Sequence, residues 1–414
     1  MCIEVAADDG TRTLLDLGMP LYDAEGADYA FDTPQRPTKE LLASGVLLDI
    51  PGLYAGDPSA PQFSAIVLTH SHIDHYGLAH HAHPLIPVYG SRGTLAILEL
   101  GKVFFPGSAL PADLRLLADT EPLEVGSLTV TGIFVDHSAP DSRLLLVEGD
   151  GQKLIYSGDL RAHGRTGFRF EKLLRDGRLR RADWLLLEGT TLGAGGGSHG
   201  LRSEQEVEEE LVALATGEPG KLVAVVASGQ NLDRLVSCYR AARHSGRLLV
   251  IDPYQAFVLM GLESLSSAIP QFTWEGVRVS FAPHQVEKLK AAGLIDVVYD
   301  MASRKVGSDE LAADPGTYLM SVRGSYGTSK LLTHVGAGGG GGGTAANVAL
   351  VWSMWGGYWK RDGCAMRKWA RREGVRSHFI HSGGHAWPED LERLKSALQA
   401  RMVETVHVAS SRPG

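Results

Sequence analysis

Hydrophobic positions in the first half of the chain occur in short runs separated by turns, and this pattern predicts a series of strands. The runs are rich in Val, Ile, Leu and Thr and are bounded by Gly, Asp or Pro, as is typical of buried or half-buried strands. The predicted strands cover residues 13–16, 65–69, 128–135, 143–148, 154–157 and 184–188. Several of them end at or beside a polar residue that can bind metal: Asp16, His70, His137, Asp159 and Glu188.

The pattern changes after a glycine-rich segment at residues 192–200. A helical pattern with an acidic face covers residues 203–216, and strands and helices then alternate over 222–267. This βαβ order predicts a small parallel sheet. A second glycine tract, 336–343, is expected to be an exposed loop, and further strands are predicted at 348–353, 377–381 and 403–408.

Composition and charge limit the classes of protein that the chain can represent. Its 414 residues are 44% hydrophobic and 21% charged, which is ordinary globular composition and excludes a disordered or coiled-coil protein. The net charge of -8 disfavours a protein that clamps duplex nucleic acid over its whole surface, so nucleic-acid contact would need a local patch.

Cysteine usage and the chain start indicate the compartment. The three cysteines, Cys2, Cys238 and Cys364, form no CxxC pair, which disfavours a disulfide framework or a cysteine-based zinc site. We find no secretory signal and no apolar run long enough for a membrane span. We therefore expect a cytoplasmic protein that does not associate with membranes.

The segment 69–75, THSHIDH, is the strongest chemical signal and directly follows a predicted strand. His70 and His72 alternate along extended chain and face the same way. Asp74 and His75 turn into the next segment and can face a second ion. Imidazoles with a carboxylate suit Zn²⁺, with Mn²⁺ or Fe as alternatives. This spacing is far more typical of a metal site than of a histidine-rich turn.

Two ions need more ligands than this segment supplies. His137 and Asp159 each end a predicted strand, and Asp159 is well placed to bridge two metals. Asp16 is more easily explained as a residue that holds the histidine loop through hydrogen bonds than as a ligand. Three downstream histidines are instead expected on the surface: His80, His81 and His83.

With these motifs, residues ~10–190 resemble the metallo-β-lactamase superfamily. Three later residues match the additional motifs of its β-CASP branch: Glu188 in LLLEGTTLG, His385 in HSGGHAWPEDL and His407 in VETVHVAS. The segment 228–254 also resembles the start of the β-CASP cap. A histidine in the third motif is typical of RNA-processing members, and the form of the second motif resembles RNase J.

The resemblance implies an α/β fold, namely an αββα sandwich with an inserted β-CASP βαβ cap. Residues 1–200 would form the first part of the core, 201–375 the cap and 376–414 the returning part of the core. The C-terminal domain of RNase J is expected to be lacking. In RNase J, Ser-Gly precedes the motif histidine, whereas this chain has Gly383 and Gly384 after Ser382, and we expect these three residues to contact a substrate phosphate.

The resemblance also implies a ligand set and a reaction. One Zn²⁺ would be held by His70, His72 and His137, the other by Asp74, His75 and His407, and Asp159 would bridge them. A hydroxide activated by the two metals would attack a phosphodiester of single-stranded RNA, with His385 as proton donor or charge stabiliser. Glu188 would orient that imidazole. The alternatives are hydrolysis of a small ester or thioester, a DNA-directed β-CASP nuclease, or a pseudo-nuclease scaffold.

Two basic segments could contact nucleic acid. Residues 161–181 carry eight Arg or Lys against two acids, and residues 358–376 carry seven against two with aromatic residues between them. Such a mixture suits single-stranded nucleic acid, although a solvated helix face explains it equally well. The aromatic tract 352–359 is expected to be core packing. We expect single-stranded nucleic acid, RNA in preference to DNA, as partner, and we allow for a homo-oligomer.

Overall fold

The computed structural model describes residues 1–23, 26–30, 32–105, 109–193, 203–339 and 345–408. Two compact units divide the chain. The first unit combines Met1–Ser198 with Gly384–Gly414, and the second is His199–Gly383. The second unit is therefore an insertion in the sequence of the first.

The strands, in chain order, are β1 Ile3–Ala6, β2 Arg12–Leu15, β3 Ala65–Val67, β4 Val88–Gly90, β5 Leu114–Leu116, β6 Pro122–Val125, β7 Leu128–Phe134, β8 Arg143–Gly149, β9 Gln152–Tyr156, β10 Trp184–Glu188, β11 Leu222–Val226, β12 Leu248–Ile251, β13 Val277–Val279, β14 Tyr318–Val322, β15 Val348–Trp352, β16 Ser377–Phe379 and β17 Met402–Val406.

The helices are α1 Thr38–Ala43, α2 Ile73–Tyr76, α3 Arg92–Phe104, α4 Phe168–Leu173, α5 Glu204–Gly217, α6 Leu232–His244, α7 Pro253–Gly261, α8 Pro283–Ala291, α9 Ile295–Ala302, α10 Ser308–Ala313, α11 Tyr326–Gly336, α12 Gly356–Lys360, α13 Ala365–Glu373 and α14 Pro388–Leu398. Within the described ranges, none of the helices is long and apolar enough to cross a membrane.

The first unit contains two sheets that pack face to face. One has the order β1-β2-β3-β4-β5 and the other the order β17-β10-β9-β8-β7-β6. Successive side chains of a strand point to opposite faces. Accordingly, Leu15 and Val67 of the first sheet share a buried cluster with Leu145 and Val147 of the second.

Helices cover the outer face of each sheet. Leu14 and Ile66 pack outward with residues of α1 and α3, while Leu144 and Leu146 pack against residues of α4 and α14. Because both faces of each sheet are covered, the strands read as nearly continuous hydrophobic runs. The predicted αββα sandwich is confirmed by this layer order.

The second unit is built on one six-stranded sheet with the order β13-β12-β14-β11-β15-β16, in which every pairing is parallel. This is the βαβ cap expected from the sequence. Helix α5 begins with a capping box, since the Ser203 hydroxyl accepts from the Glu206 N–H and the Glu206 carboxylate accepts from the Ser203 N–H.

The limits of the two units differ from the predicted ones at the return to the core. We expected the core to resume at residue 376, but β16 pairs with β15 and so extends the sheet of the second unit. The first unit resumes at Gly384. The predicted boundary at 200/201 and residues 340–343 of the glycine tract lie outside the described residues.

Candidate metal centre

The metal-capable residues of the first unit gather where its strands end. The parallel strands β2 and β3 lead to Asp16 and His70, while β7 and β9 lead to His137 and Asp159. Strand β17 pairs in parallel with β10, with Val406 opposite Glu188, so His407 lies one residue beyond that pair. Parallel strands present their carboxyl ends at the same edge of a sheet, and residues far apart in sequence are thereby brought together.

Two of these residues have left-handed backbone, which is uncommon outside glycine. Asp16 has φ 63° and His407 has φ 55°. Such conformations cost about 1–3 kcal/mol each and persist where the surrounding structure holds them. Both residues follow directly on a strand, so the backbone turns sharply there, placing the His407 side chain in a ligand group and the Asp16 carboxylate behind His75.

The segment 70–75 changes from extended to helical backbone within the motif. His72 is extended and caps the short helix α2, which carries Asp74 and His75. His70 and His75 are fully buried. The change of backbone direction sends the first and second halves of the motif into two different groups of ligands.

The first group contains three imidazoles and one carboxylate. One possible ligand atom from each residue lies within 4.8 Å of the others in the set His70, His72, His137 and Asp159. His137 Nε2 is 3.1 Å from His72 Nδ1. His70 Nε2 and His137 Nε2 lie 3.7 Å and 3.8 Å from Asp159 Oδ2.

The second group contains Asp74, His75 and His407 under the same criterion. His407 Nε2 is 3.0 Å from Asp74 Oδ2. Asp159 reaches this group as well, because its Oδ2 is 3.4 Å from His75 Nε2 and its Oδ1 is 3.2 Å from His407 Nδ1. Asp159 therefore stands between the two groups.

Three buried polar atoms at the centre support the binding of metal here. Nε2 of His70, Nε2 of His75 and Oδ1 of Asp159 are buried and have no hydrogen-bond partner in the part of the chain that the structure describes. Burying such atoms without partners is costly. Imidazole nitrogens and carboxylate oxygens bind divalent transition metals, so cations at both groups would satisfy all three atoms.

The pKa shifts of the first group agree with this interpretation. Burial lowers the pKa of His70 and His137 well below the usual value and lowers the pKa of His72 to about 4. These three imidazoles are therefore neutral near pH 7. The neutral form is the one that donates a lone pair to a metal.

The pair His75 and Asp159 shows the opposite electrostatics. Burial opposes a charge on either residue, but their mutual attraction raises the pKa of His75 and lowers the pKa of Asp159. The surroundings thus stabilise a positive charge beside Asp159. A bound metal cation would provide that charge.

Asp16 holds the ligand loop and does not face either group. Its carboxylate accepts hydrogen bonds from the Thr69 N–H at 2.7 Å and from the Tyr156 hydroxyl at 2.8 Å. It also lies 2.7 Å from His75 Nδ1, which leaves His75 Nε2 directed at the cluster. A carboxylate behind a ligand imidazole fixes its tautomer and orientation.

Several supporting groups were not predicted from the sequence. Thr69 Oγ1 is 3.0 Å from His70 Nδ1, and Thr190 Oγ1 is 2.8 Å from His407 Nδ1. The Gly384 carbonyl accepts from His137 Nδ1 at 2.5 Å. The sequence signal for the two threonines is their position beside motif residues. Thr69 directly precedes His70, and Thr190 is separated from Glu188 by one glycine.

Glu188 and His385 form a pair at the edge of the cluster. His385 Nδ1 is 2.8 Å from Glu188 Oε2, and the buried Glu188 also accepts from the Leu160 N–H at 2.9 Å. His385 Nδ1 is 3.7 Å from Asp159 Oδ2. Burial opposes protonation of His385, but the charges of Glu188 and Asp159 raise its pKa to about 9.

Comparison with known proteins agrees with this geometry. Residues 51–223 match the family model of the beta-lactamase superfamily domain. This match covers less than half of the chain, and over these residues the chain is similar to the metallo-β-lactamase superfamily.

Among curated proteins, the chain is similar to ribonucleases, and ribonuclease J is one of them. Ribonuclease J of Sinorhizobium meliloti is 26% identical over 216 residues, which are 50% of this chain and 37% of that protein. A ribonuclease of Thermus thermophilus is 33% identical over 182 residues, 36% of this chain and 39% of that protein. The chain thus spans less than half the length of these curated relatives.

One solved structure has a similar fold over nearly the whole chain. The crystal structure of a protein of unknown function from Enterococcus faecalis V583 superposes with a TM-score of 0.74 at 18% identity, covering 98% of this chain and 90% of that one. This likeness concerns the fold alone.

The residues predicted to contact a phosphate are divided between the two units. Ser382 is buried, and it and Gly383 belong to the second unit, whereas Gly384 belongs to the first. Their contact with a phosphate stays a prediction. The prediction that His81 lies on the surface is wrong. Its side chain is buried and hydrogen-bonded to the Thr38 hydroxyl and to the Pro34 carbonyl.

Proposed function

We propose that the protein is a metal-dependent phosphodiesterase that cleaves single-stranded nucleic acid, RNA in preference to DNA. The observation that carries the proposal is the position of His385. Its Nδ1 lies 2.8 Å from Glu188 Oε2 and 3.7 Å from Asp159 Oδ2. Hydrolysis of a small ester needs metals but has no need of this additional acid. The ribonuclease names of the sequence relatives support the same activity.

The metals would be two Zn²⁺ ions, with Mn²⁺ or Fe as alternatives. His70, His72 and His137 would hold one ion, Asp74, His75 and His407 the other, and Asp159 would contact both. When bound, the two ions would supply Lewis acidity towards a phosphoryl oxygen and a water of lowered pKa as nucleophile.

The protein's own contribution is to hold these ligands and to supply a proton. The Glu188 carboxylate accepts a hydrogen bond from Nδ1 of His385. The other ring nitrogen, Nε2, would then be available to the substrate. From there the imidazolium would donate its proton to the leaving oxygen as the P–O bond breaks. The charges of Glu188 and Asp159 raise the pKa of His385 to about 9, so this imidazole carries near pH 7 the proton that a general acid must donate.

The test is digestion of 5′-labelled and 3′-labelled single-stranded RNA and DNA with Zn²⁺ or Mn²⁺ added. We expect cleavage that a chelator abolishes and added metal restores, with RNA cut faster than DNA. The pattern of labelled products distinguishes attack from an end from attack within the chain. Faster cleavage of DNA would favour the DNA-directed alternative.

Parallel assays on a thioester and on bis(p-nitrophenyl) phosphate separate the remaining alternatives. Hydrolysis of the thioester with no cleavage of either nucleic acid would refute the proposal in favour of a small-ester hydrolase. Binding of RNA with no cleavage under any metal condition would indicate a scaffold protein.

A further inference from the structure

The second unit carries exposed aromatic side chains that its own core does not use. The sequence led us to expect that the tract 352–359 is core packing, and Trp352 is indeed buried, but Trp355 is 55% exposed and Tyr358 is 41% exposed. Phe379, on the edge strand β16, is 52% exposed. Large aromatic groups held at the surface lose the free energy of burial, so they require a reason.

These rings are held in fixed positions. Trp355 packs edge-on against Tyr358 with ring centroids 5.4 Å apart, and Phe379 packs edge-on against Trp359 at 5.2 Å. Trp359 in turn contacts the buried Trp352 at 5.1 Å.

Gly357 provides the surface against which the Trp355 ring lies. A Cβ added at Gly357 would come within 2.2 Å of that ring, so any other residue here would require the ring to shift.

Basic residues occur in the same segment as two of the aromatic rings, Tyr358 and Trp359. The Arg361 guanidinium lies over the Tyr358 ring, 4.6 Å from its centroid. Lys360 and Lys368 are exposed, and residues 358–376 carry seven basic side chains against two acidic ones. Trp369, in the same segment, is buried and donates a hydrogen bond to the Thr333 hydroxyl, so its ring is not part of the exposed aromatic surface.

In the other basic segment, 161–181, some of the basic side chains form ion pairs within the first unit. Arg161 is fully buried 3.5 Å from Asp136, and Arg178 pairs with Asp176 at 2.6 Å. It also lacks a comparable set of exposed rings among the described residues, with Phe168 as its exposed aromatic side chain. Arg169 and Lys172 lie over the Phe168 ring at 5.5 Å and 5.1 Å, so the first unit offers a single exposed ring beside positive charge in this segment, whereas the second unit offers several among its described residues.

We propose that Trp355, Tyr358, Phe379 and Arg361 form an aromatic–basic surface that binds single-stranded nucleic acid by stacking on its bases. Aromatic faces accept any base, and nearby cations neutralise the phosphates, which together give tight binding with little sequence preference. Duplexes bind less well because their bases are already stacked on one another. The inference deepens the proposed function, since it names where the substrate of that activity is held.

The main test measures binding by the metal-free protein in chelator, so that cleavage plays no part. A labelled oligouridine of ~12 nucleotides is titrated and its fluorescence anisotropy is followed. We expect Trp355→Ala to weaken binding ~5- to 100-fold and Trp355→Phe to retain most of the affinity. Lys360→Gln should reduce the slope of log K against log salt by about 0.7, as for one lost phosphate contact to a single strand.

Tyr299→Ala is the matched control. Tyr299 is an exposed aromatic residue of the same unit at 69% exposure, but it lies on α9 between Asp296 and Asp300, where negative charge repels phosphate. We expect wild-type affinity for this variant. Thermal unfolding of each variant verifies that the fold is retained, as the exposure of both side chains leads us to expect.

Several results would overturn the inference. These are absence of oligouridine binding by the wild-type protein, equal binding by wild type and Trp355→Ala, or equally tight binding of a matching duplex. A Trp355→Ala variant that changes the oligomeric state in sedimentation but not RNA affinity would identify the surface as a protein interface.

Kinetics with added metal separate this inference from the proposed function. We expect Trp355→Ala to raise KM for the oligonucleotide by the same factor as the binding constant, with kcat unchanged and bis(p-nitrophenyl) phosphate hydrolysis unaffected. If Trp355→Ala weakens binding but the wild-type protein never cleaves, the binding surface is supported and the proposed nuclease activity is refuted. If Trp355→Ala cleaves with the wild-type KM, the nuclease activity is supported and the binding surface is refuted.

Discussion

Replacement of His385 by alanine is the most direct test of the proposed chemistry. In the proposed mechanism this side chain is the proton donor, and within the described residues no other group is shown to hydrogen-bond Glu188 Oε2. A positioned acid contributes about 10²–10⁴-fold to a rate. We therefore expect kcat on single-stranded RNA to fall by that factor while the content of bound metal remains that of the wild type.

The structure also sets the expected cost in stability. His385→Ala removes one partner of the buried Glu188 carboxylate, which keeps its hydrogen bond from the Leu160 N–H. Losing a partner of a buried acceptor costs about 1–3 kcal/mol. Urea unfolding should show this loss, so the rate must be expressed per folded molecule.

The assay combines initial cleavage rates, elemental analysis and unfolding for the same preparations. His81→Ala is the control, because His81 is another buried histidine of the first unit that lies outside both ligand groups. It should lose stability but keep its rate per folded molecule. Added imidazole should partly restore His385→Ala and should have no effect on His81→Ala.

A stable, fully metallated His385→Ala protein that cuts RNA at the wild-type rate would refute the acid role. If metal content falls together with activity, His385 is a ligand, and the division of roles proposed here is wrong.

Asp159→Asn should lose most of both metals, because its carboxylate contacts both ligand groups; elemental analysis showing two retained ions would contradict this. Asp16→Asn should weaken metal affinity ~10- to 100-fold in chelator competition, as expected when the carboxylate behind a ligand imidazole is lost. Gly384→Ala should lower metal affinity and stability, because the new Cβ would lie 2.6 Å from Ser138 Oγ and displace the carbonyl that accepts from His137; unchanged values in both measurements would show that the loop adapts.

The strand-end residues were predictable from sequence because their chemistry is distinctive. Histidine and aspartate at the ends of hydrophobic runs are rare enough to be noticed, and Asp159 and His407 stand out in this way. Thr69, Thr190 and Tyr156 do not, because hydroxyl residues are common and their role depends on a neighbour that only the folded chain supplies.

Exposure was the property that the sequence predicted least well. Trp352 and Trp355 lie in one aromatic tract, yet one is buried and the other exposed, since burial depends on which way the backbone turns at α12. The return to the core was misplaced for a similar reason. The residues of β16 read as a strand in either unit, and only the pairing with β15 decides between them.

The insertion of the second unit has a consequence for the order in which the centre can be assembled during synthesis. Glu188 and His385 are 197 positions apart, and Asp74 and His407 are 333 apart. A nascent chain emerging from the ribosome must therefore complete the entire inserted sheet before β17 can pair with β10 and deliver the remaining histidines. Until then β10 lacks that neighbour, and the ligands already made cannot form the second group. The proposed RNA-cleaving centre would therefore stay incomplete until the inserted unit and β17 have both been translated.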